Sequence, residues 1–286
     1  MDAPALVDSP RFQLRTVPVN GTELHVATAG QGPPVVLVHG WPHTWRLWHT
    51  VIPRLAPDHL VIAPDLRGLG ASSRAASGYD LHTLADDLAT LLDALGQTGA
   101  LVAGIDLGAP VAWMLAMRHP RLVRRLALSE SLLGDLPGAE AFLAKGPPWW
   151  FGFHQAPDLA ETVLVGHEAD YLDWFFRSGT DGGRGIDASV RDAFVAAYTG
   201  RTSLRCSFEH YRALPGNAVQ IREALARGRL RQPTLALLGG TVGDAIARQL
   251  RPIADELTVR PIAGCKHLVP LEQPAAFADA LRAFGA

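Results

Sequence analysis

The 286-residue chain carries 26 basic against 28 acidic side chains, a net charge of −2 with histidine neutral, so it lacks the basic field that nucleic acid or an anionic membrane surface would require. With 48% hydrophobic and 19% charged residues it is neither disordered nor fibrous, and its length fits one large domain or two. The two cysteines, Cys206 and Cys265, cannot build a disulfide framework; the start Met1-Asp2-Ala3-Pro4 has no basic leader, and no apolar run nears the roughly 20 residues of a membrane span, so a reduced, cytoplasmic protein is expected.

In chain order, residues 12–18 and 23–29 alternate around Asn20-Gly21, the pattern of a two-stranded hairpin. Val35 to Val38 and Leu60 to Ala63 are short continuous apolar runs, which suit strands covered on both faces of a mostly parallel sheet. Leu81, Leu84, Leu88, Leu91, Leu92 and Leu95 then recur at helical spacing up to Gly96. A strand is predicted at Ala100 to Ala103, a helix from about Ala109 to His119 stopped by Pro120, and a strand at Leu126 to Leu128. Between about Leu132 and Pro215 the alternation gives way to aromatic clusters, helical patterns and the polar stretch Ser178 to Gly185. Strand signals return at Thr234 to Leu238 and Leu257 to Ile262, and a last amphipathic helix carries Phe277, Leu281 and Phe284. The expected layout is an α/β core of residues 1–134 and 216–286, its central sheet flanked by helices, with a mainly helical cap at 135–215.

Gly104-Ile105-Asp106-Leu107-Gly108 follows a predicted strand and opens a predicted helix, with glycines where a sharp strand-turn-helix has no room for side chains. Gly179-Thr180-Asp181-Gly182-Gly183 fits the same spacing but lies in a polar loop with no strand before it, and is set aside. On the first of these turns the chain resembles the α/β-hydrolase superfamily over nearly its whole length. That superfamily usually carries Ser at the elbow, whereas here it is Asp106. Carboxylate attack on an ester would give an anhydride; at a saturated carbon bearing a leaving group it gives an ester that water can open. The elbow therefore looks like those of epoxide hydrolases and of haloalkane or haloacetate dehalogenases, and the chain is most similar to bacterial epoxide hydrolases. A carboxylesterase would need an elbow serine.

The resemblance extends to His39-Gly40-Trp41-Pro42, similar to the family's oxyanion loop, which implies that the backbone N–H groups of Trp41 and Leu107 hold the oxyanion of the ester's tetrahedral intermediate. Asp65 to Ser72 resembles a family loop of structural role. Gly264-Cys265-Lys266-His267, with Pro270 and Glu272-Gln273-Pro274 after it, resembles the late histidine motif and implies that His267 activates the hydrolytic water. His25, His59, His119 and His167 sit in ordinary strand, helix-end or loop contexts, and His39, His43 and His49 form no zinc motif, so neither metal nor cofactor is expected. Two carboxylates compete to orient His267. Asp244 follows the strand at Thr234 to Leu238, but Val242 occupies the place where a Gly-x-x-Asp loop would put its acid. Glu130 lies 24 residues after Asp106, the spacing of relatives that moved the acid to the preceding strand. Glu130 is favoured, and Asp244 then reads as a helix cap.

Ser207 to Ala213 resembles the cap motif that sets a tyrosine over the nucleophile, here Tyr211, whose phenol of pKa about 10 can protonate an alkoxide. Pro147 to His154 looks like the cap stretch that supplies a second leaving-group donor; Trp150 stands there, and an indole N–H donates a hydrogen bond but is not an acid. Trp149, Phe151, Phe153 and His154, with Leu107, are expected to line an apolar pocket suited to an uncharged, aromatic or cyclic epoxide. A dehalogenase is the alternative, since a halide needs donors and no proton. Against it, Leu107 is not the tryptophan of haloalkane dehalogenases, and Leu107 and Pro110 stand where fluoroacetate dehalogenases carry their carboxylate-binding arginines. A non-catalytic or repurposed member of the fold ranks last. The expected partners are a small-molecule substrate and water, with no nucleic acid or membrane; family likeness alone suggests a homodimer.

Overall fold

The computed structural model describes residues 12–285, so Met1 to Pro4 lie outside the described residues. Among the described residues eight strands, β1 (Gln13–Val19), β2 (Thr22–Ala29), β3 (Pro34–Val38), β4 (Leu60–Pro64), β5 (Ala100–Ile105), β6 (Val123–Ser129), β7 (Thr234–Leu238) and β8 (Leu257–Pro261), form one sheet in the order β1-β2-β4-β3-β5-β6-β7-β8. The β1–β2 and β2–β4 pairs are antiparallel and all the others parallel. At the first hairpin Asn20 and Gly21 both adopt positive φ, +32° and +74°, as a two-residue turn between right-twisted strands requires. β5 is buried along its whole length and β3 on all but its first residue, which explains their unbroken apolar sequences. β1 and β8 are the edge strands, and on β8 exposed Arg260 and Pro261 discourage pairing with another chain.

The helices Leu81–Ala94, Gly108–Arg118 and Pro274–Gly285 bury the apolar faces read from their spacing, and Asp80 caps the first by accepting from the Thr83 N–H at 3.2 Å. The expected alternation breaks where the sequence lost it: between β6 and β7 lie six helices, Trp149–Gln155, Leu159–Leu164, Glu168–Ser178, Ala188–Tyr198, Arg201–Arg212 and Leu214–Arg227. The boundary expected at 215 falls inside the last of these. Among the described residues no helix is long and apolar enough to cross a membrane.

Two buried carboxylates brace the loop after β4. Asp87 grips Arg67 bidentately, both bonds at 2.7 Å, and Asp65 accepts from the backbone N–H of Trp45 at 2.7 Å and of Ala71 at 2.9 Å. His39 fills its place in the same framework, with Nδ1 2.7 Å from the Gly40 carbonyl and Nε2 accepting from the Leu66 N–H at 3.1 Å. These bonds fix the loop that follows β3, and the residues that follow β3, β5, β6 and β7 line one cavity together with residues of those helices.

Candidate active site

β5 ends at Ile105, and Asp106 turns the chain into the helix Gly108–Arg118 with φ +53°. Left-handed backbone at a non-glycine residue costs on the order of 1–3 kcal/mol and persists only where its surroundings enforce it. The enforcement is close packing: a Cβ on Gly104 would lie 2.4 Å from the Gly108 carbonyl oxygen, and one on Gly108 2.4 Å from that of His39. The Asp106 carbonyl accepts from Ser131 Oγ at 2.7 Å and from the Ala109 N–H at 3.0 Å.

The two carboxylate oxygens of Asp106 have different neighbours. Oδ1 accepts from the Trp41 N–H at 2.8 Å, and Oδ2 lies 3.3 Å from His267 Nε2. The side chain is enclosed by protein but 21% exposed, to the cavity above it. Burial alone would raise its pKa; the bond and charge of His267, with the Leu107 amide, outweigh burial and hold it below the usual carboxylate range. Asp106 is therefore an anion with one oxygen already in a donor site and the other directed at an imidazole.

His267 follows β8, and its backbone N–H donates to the Gly179 carbonyl of the insert at 2.9 Å. Its Nδ1 is 3.5 Å from Glu130 Oε2, an ion-pair distance longer than a good hydrogen bond. Glu130 sits just past β6 at φ +45°, only 1% exposed, with Oε1 accepting from the Gly239 N–H at 2.8 Å and Oε2 from the Val242 N–H at 2.9 Å. Burial works against a charged His267, yet the Asp106 and Glu130 carboxylates prevail and push its pKa to about 10. In the free protein His267 is thus an imidazolium between two carboxylates.

The family model of the alpha/beta hydrolase fold matches residues 33–179, slightly more than half of the chain. The chain belongs to the α/β-hydrolase family. It is 32% identical over 272 residues to the soluble epoxide hydrolase of Corynebacterium sp. (strain C12), covering 90% of this chain and 91% of that one. The fluoroacetate dehalogenase of Burkholderia sp. is 28% identical over 211 residues, covering 71% of this chain and 69% of that one. The solved structure of the epoxide hydrolase CorEH without ligand superposes with a TM-score of 0.86 at 30% identity, covering 96% of this chain and 99% of that one. As a member of the family, the chain is a hydrolase.

The cavity of this α/β-hydrolase has a volume of about 600 Å³ and reaches from Asp106, Glu130 and His267 up to Tyr211, Trp150 and Phe151. Tyr211, 2% exposed on the helix Arg201–Arg212, packs edge-on against Trp41 and Phe151 at 5.7 and 5.6 Å between ring centroids. Burial first, and the Asp106 charge second, raise its phenol pKa well above the ordinary value, while the neighbouring Trp150 indole opposes the rise. The hydroxyl keeps its proton.

Three of the expected lining residues stand elsewhere. Side chains turn through about 100° per helical residue, so in the helix Trp149–Gln155 Trp150 and Phe151 face the cavity, whereas Trp149 and Phe153 are turned away from it. Trp149 is 54% exposed, with its ring 6.1 Å from that of Phe153. His154 is fully buried behind Tyr211, ring centroids 4.4 Å apart, and its Nε2 is 2.7 Å from the Tyr171 hydroxyl. Asp244, the alternative acid, is exposed and its side chain bonds Arg248 at 2.7 Å; contrary to the expected helix cap, that side chain caps nothing, although the residue holds the N-cap position of the helix Ala245–Leu250. Phe175, Leu132, Leu214 and His43 line the cavity without having been singled out as pocket residues; only the run Trp174-Phe175-Phe176 offered a composition signal. The set-aside Gly179 turn has a supporting role, since its carbonyl accepts from the His267 and Leu268 N–H groups at 2.9 and 3.1 Å.

Proposed function

We propose that the chain is an epoxide hydrolase acting through an ester on Asp106. Oδ2 attacks a ring carbon from the side opposite its C–O bond, that bond of the epoxide breaks, and the departing oxygen takes the Tyr211 proton, with Trp150 as a second donor. Oδ1 becomes the ester carbonyl oxygen, beside the Trp41 N–H and the Leu107 amide. Water then adds to Asp106 Cγ as His267 takes its proton; collapse of the intermediate breaks the Cγ–Oδ2 bond, and His267 returns the proton to the second product hydroxyl. The carboxyl regenerated at Asp106 ionises, and Tyr211 regains a proton from water, so the sum is epoxide plus water to diol.

The timing follows from charge. A His267 held at about 10 cannot serve as a base near neutrality. Esterification removes the Asp106 charge that supports this value, so alkylation itself lowers the His267 pKa; the imidazolium gives its proton to solvent, which frees its lone pair for the water step, and takes one back once the Asp106 carboxylate is restored. The observation that carries the reading is the elbow carboxylate divided between the Trp41 N–H and His267 Nε2. Tyr211, a buried phenol that keeps its proton over that carboxylate, favours an epoxide above a halide.

Among the described residues no lysine or arginine lines the cavity, and Leu107 and Pro110 do, so an uncharged, aromatic or cyclic epoxide suits it better than a haloacid. Free Cys206 and Cys265 suit the reducing cytoplasm, which is part of the same reading. The test is turnover of matched epoxide, bromide and chloride substrates on one aromatic skeleton. Diol formation from the epoxide at the higher kcat/KM is expected, and halide release with no epoxide turnover would establish the dehalogenase instead.

A further inference from the structure

His43 has no part in the chemistry above, yet it is the site residue whose polar atoms are least provided for. It is 1% exposed, lines the cavity together with Asp106 and His267, and neither Nδ1 nor Nε2 has a hydrogen-bond partner. Its backbone is fully engaged, the N–H donating to the Gly40 carbonyl at 3.1 Å and the carbonyl accepting from the Tyr198 hydroxyl at 2.7 Å. The ring stands edge-on to Phe194 at 5.5 Å. His39, four residues earlier, is the opposite case, with both ring nitrogens committed to the loop framework. A buried imidazole with two unpaired nitrogens is costly to keep unless something in the cavity engages it.

We propose that His43 is a second histidine of the hydrolytic step, with one ring nitrogen accepting a hydrogen bond from the water that attacks Asp106 Cγ. Because Oδ1 is held by the Trp41 N–H, the alkyl group resides on Oδ2, on the His267 side, and water must arrive there. That water gives one hydrogen to His267 Nε2. If its second hydrogen is unheld the molecule can rotate; anchored on His43, it presents an oxygen lone pair to Cγ. The role needs a neutral ring. Burial lowers the His43 pKa to about 3, with the Asp106 charge pulling it up and His267 and His39 pushing it down. The lone pair is therefore available at every working pH.

This inference rests on the Asp106 ester of the proposed function, though not on epoxide over halide, because hydrolysis of that ester ends both reactions. The experiment is single-turnover kinetics with a matched epoxide and bromide, measuring ester formation by mass spectrometry of quenched protein and ester decay separately. His43→Phe keeps an aromatic ring against Phe194 and removes both nitrogens; His43→Gln returns a polar group. Expected is ester formation within about threefold of the parent and decay slowed roughly a hundredfold in His43→Phe, as for a lost transition-state hydrogen bond. Decay in His43→Gln should fall between the two, and the pH midpoint of decay should stay with His267. Equal decay rates in the Phe and Gln variants, parental decay in His43→Phe, or formation and decay lost by the same factor would each overturn the role. A parent that forms its ester from the bromide alone refutes the epoxide reading while the bromide arm still decides His43. A parent forming no ester from either substrate refutes both.

Discussion

The Val242 N–H donates to Glu130 Oε2 at 2.9 Å, so the loop after β7 anchors the carboxylate that faces His267 without supplying it. A carboxylate at the end of that loop would reach toward His267 from one strand; here the carboxylate comes from β6, and the loop contributes only backbone donors from Gly239 and Val242. With both its oxygens held, Glu130 is fixed before any substrate arrives.

Glu130→Gln should therefore leave ester formation measurable while slowing ester decay, so that the Asp106 ester accumulates in a quenched reaction. Asp244→Asn removes only an exposed pair with Arg248, which solvent screens, and should turn over normally. His267→Gln should trap the ester in either background. An ester trapped by the Asp244 variant alone would transfer the orienting role to Asp244.

The two donors over the nucleophile should separate by substrate. With an epoxide, Tyr211→Phe removes a hydrogen bond and the proton source, so ester formation should fall by well over the roughly hundredfold that one lost transition-state donor costs. Trp150→Phe should cost about that hundredfold or less. With a matched bromide no proton is needed, and the two losses should converge. Stopped-flow rates for both variants on both substrates decide it; a larger loss from Trp150→Phe with the epoxide would remove Tyr211 from the acid role.

The pH dependence of stability follows from His267. Its folded pKa, about 10, lies above the ordinary 6.5, so the pairing contributes its full stabilisation below pH 6.5 and loses it as pH rises through 10. Melting temperature should decline across that window. In Asp106→Asn one of the two carboxylates that raise the value is gone, so the decline, still beginning near pH 6.5, should be smaller and end at lower pH. Superimposable melting-temperature profiles for parent and variant would break the proposed coupling.

Arg67 and Asp87 test the framework beneath the site. Their side chains are 7% and 2% exposed, and removing one partner of a buried pair costs about 3–5 kcal/mol because the other charge is left stranded. Arg67→Met should lower stability by that order in urea unfolding while the parental loop's chemistry, Asp106 with His267, remains intact in the folded fraction. A loss below about 1 kcal/mol, the range of exposed pairs, would show that solvent reaches Asp87.

Much of this was legible in the sequence because it was set by local patterns. Continuous apolar runs marked β3, β4, β5 and β7, the Asn20-Gly21 pair marked the hairpin, and the glycines around Asp106 marked the elbow, each a constraint contained in a few neighbouring residues. Which of Glu130 and Asp244 faces His267 depends on how β6 and β7 lie side by side, and spacing alone only ranked them. The helix Trp149–Gln155 is aromatic on more than one side, so composition did not reveal that Trp149 and Phe153 turn away from the cavity. His43 sits in no motif; its position follows from the loop after β3, Phe194 and Tyr198 closing around it.

The covalent role of Asp106 is tested most directly by one turnover in ¹⁸O-labelled water, with mass spectrometry of the peptide that contains Asp106 and of the product. Because water attacks Asp106 Cγ, the label should enter the Asp106 carboxylate, and the first diol formed should carry only unlabelled oxygen. Label found in the first diol while the Asp106 peptide stays unlabelled, with activity surviving in Asp106→Ala, would contradict the ester and with it the proposed reaction.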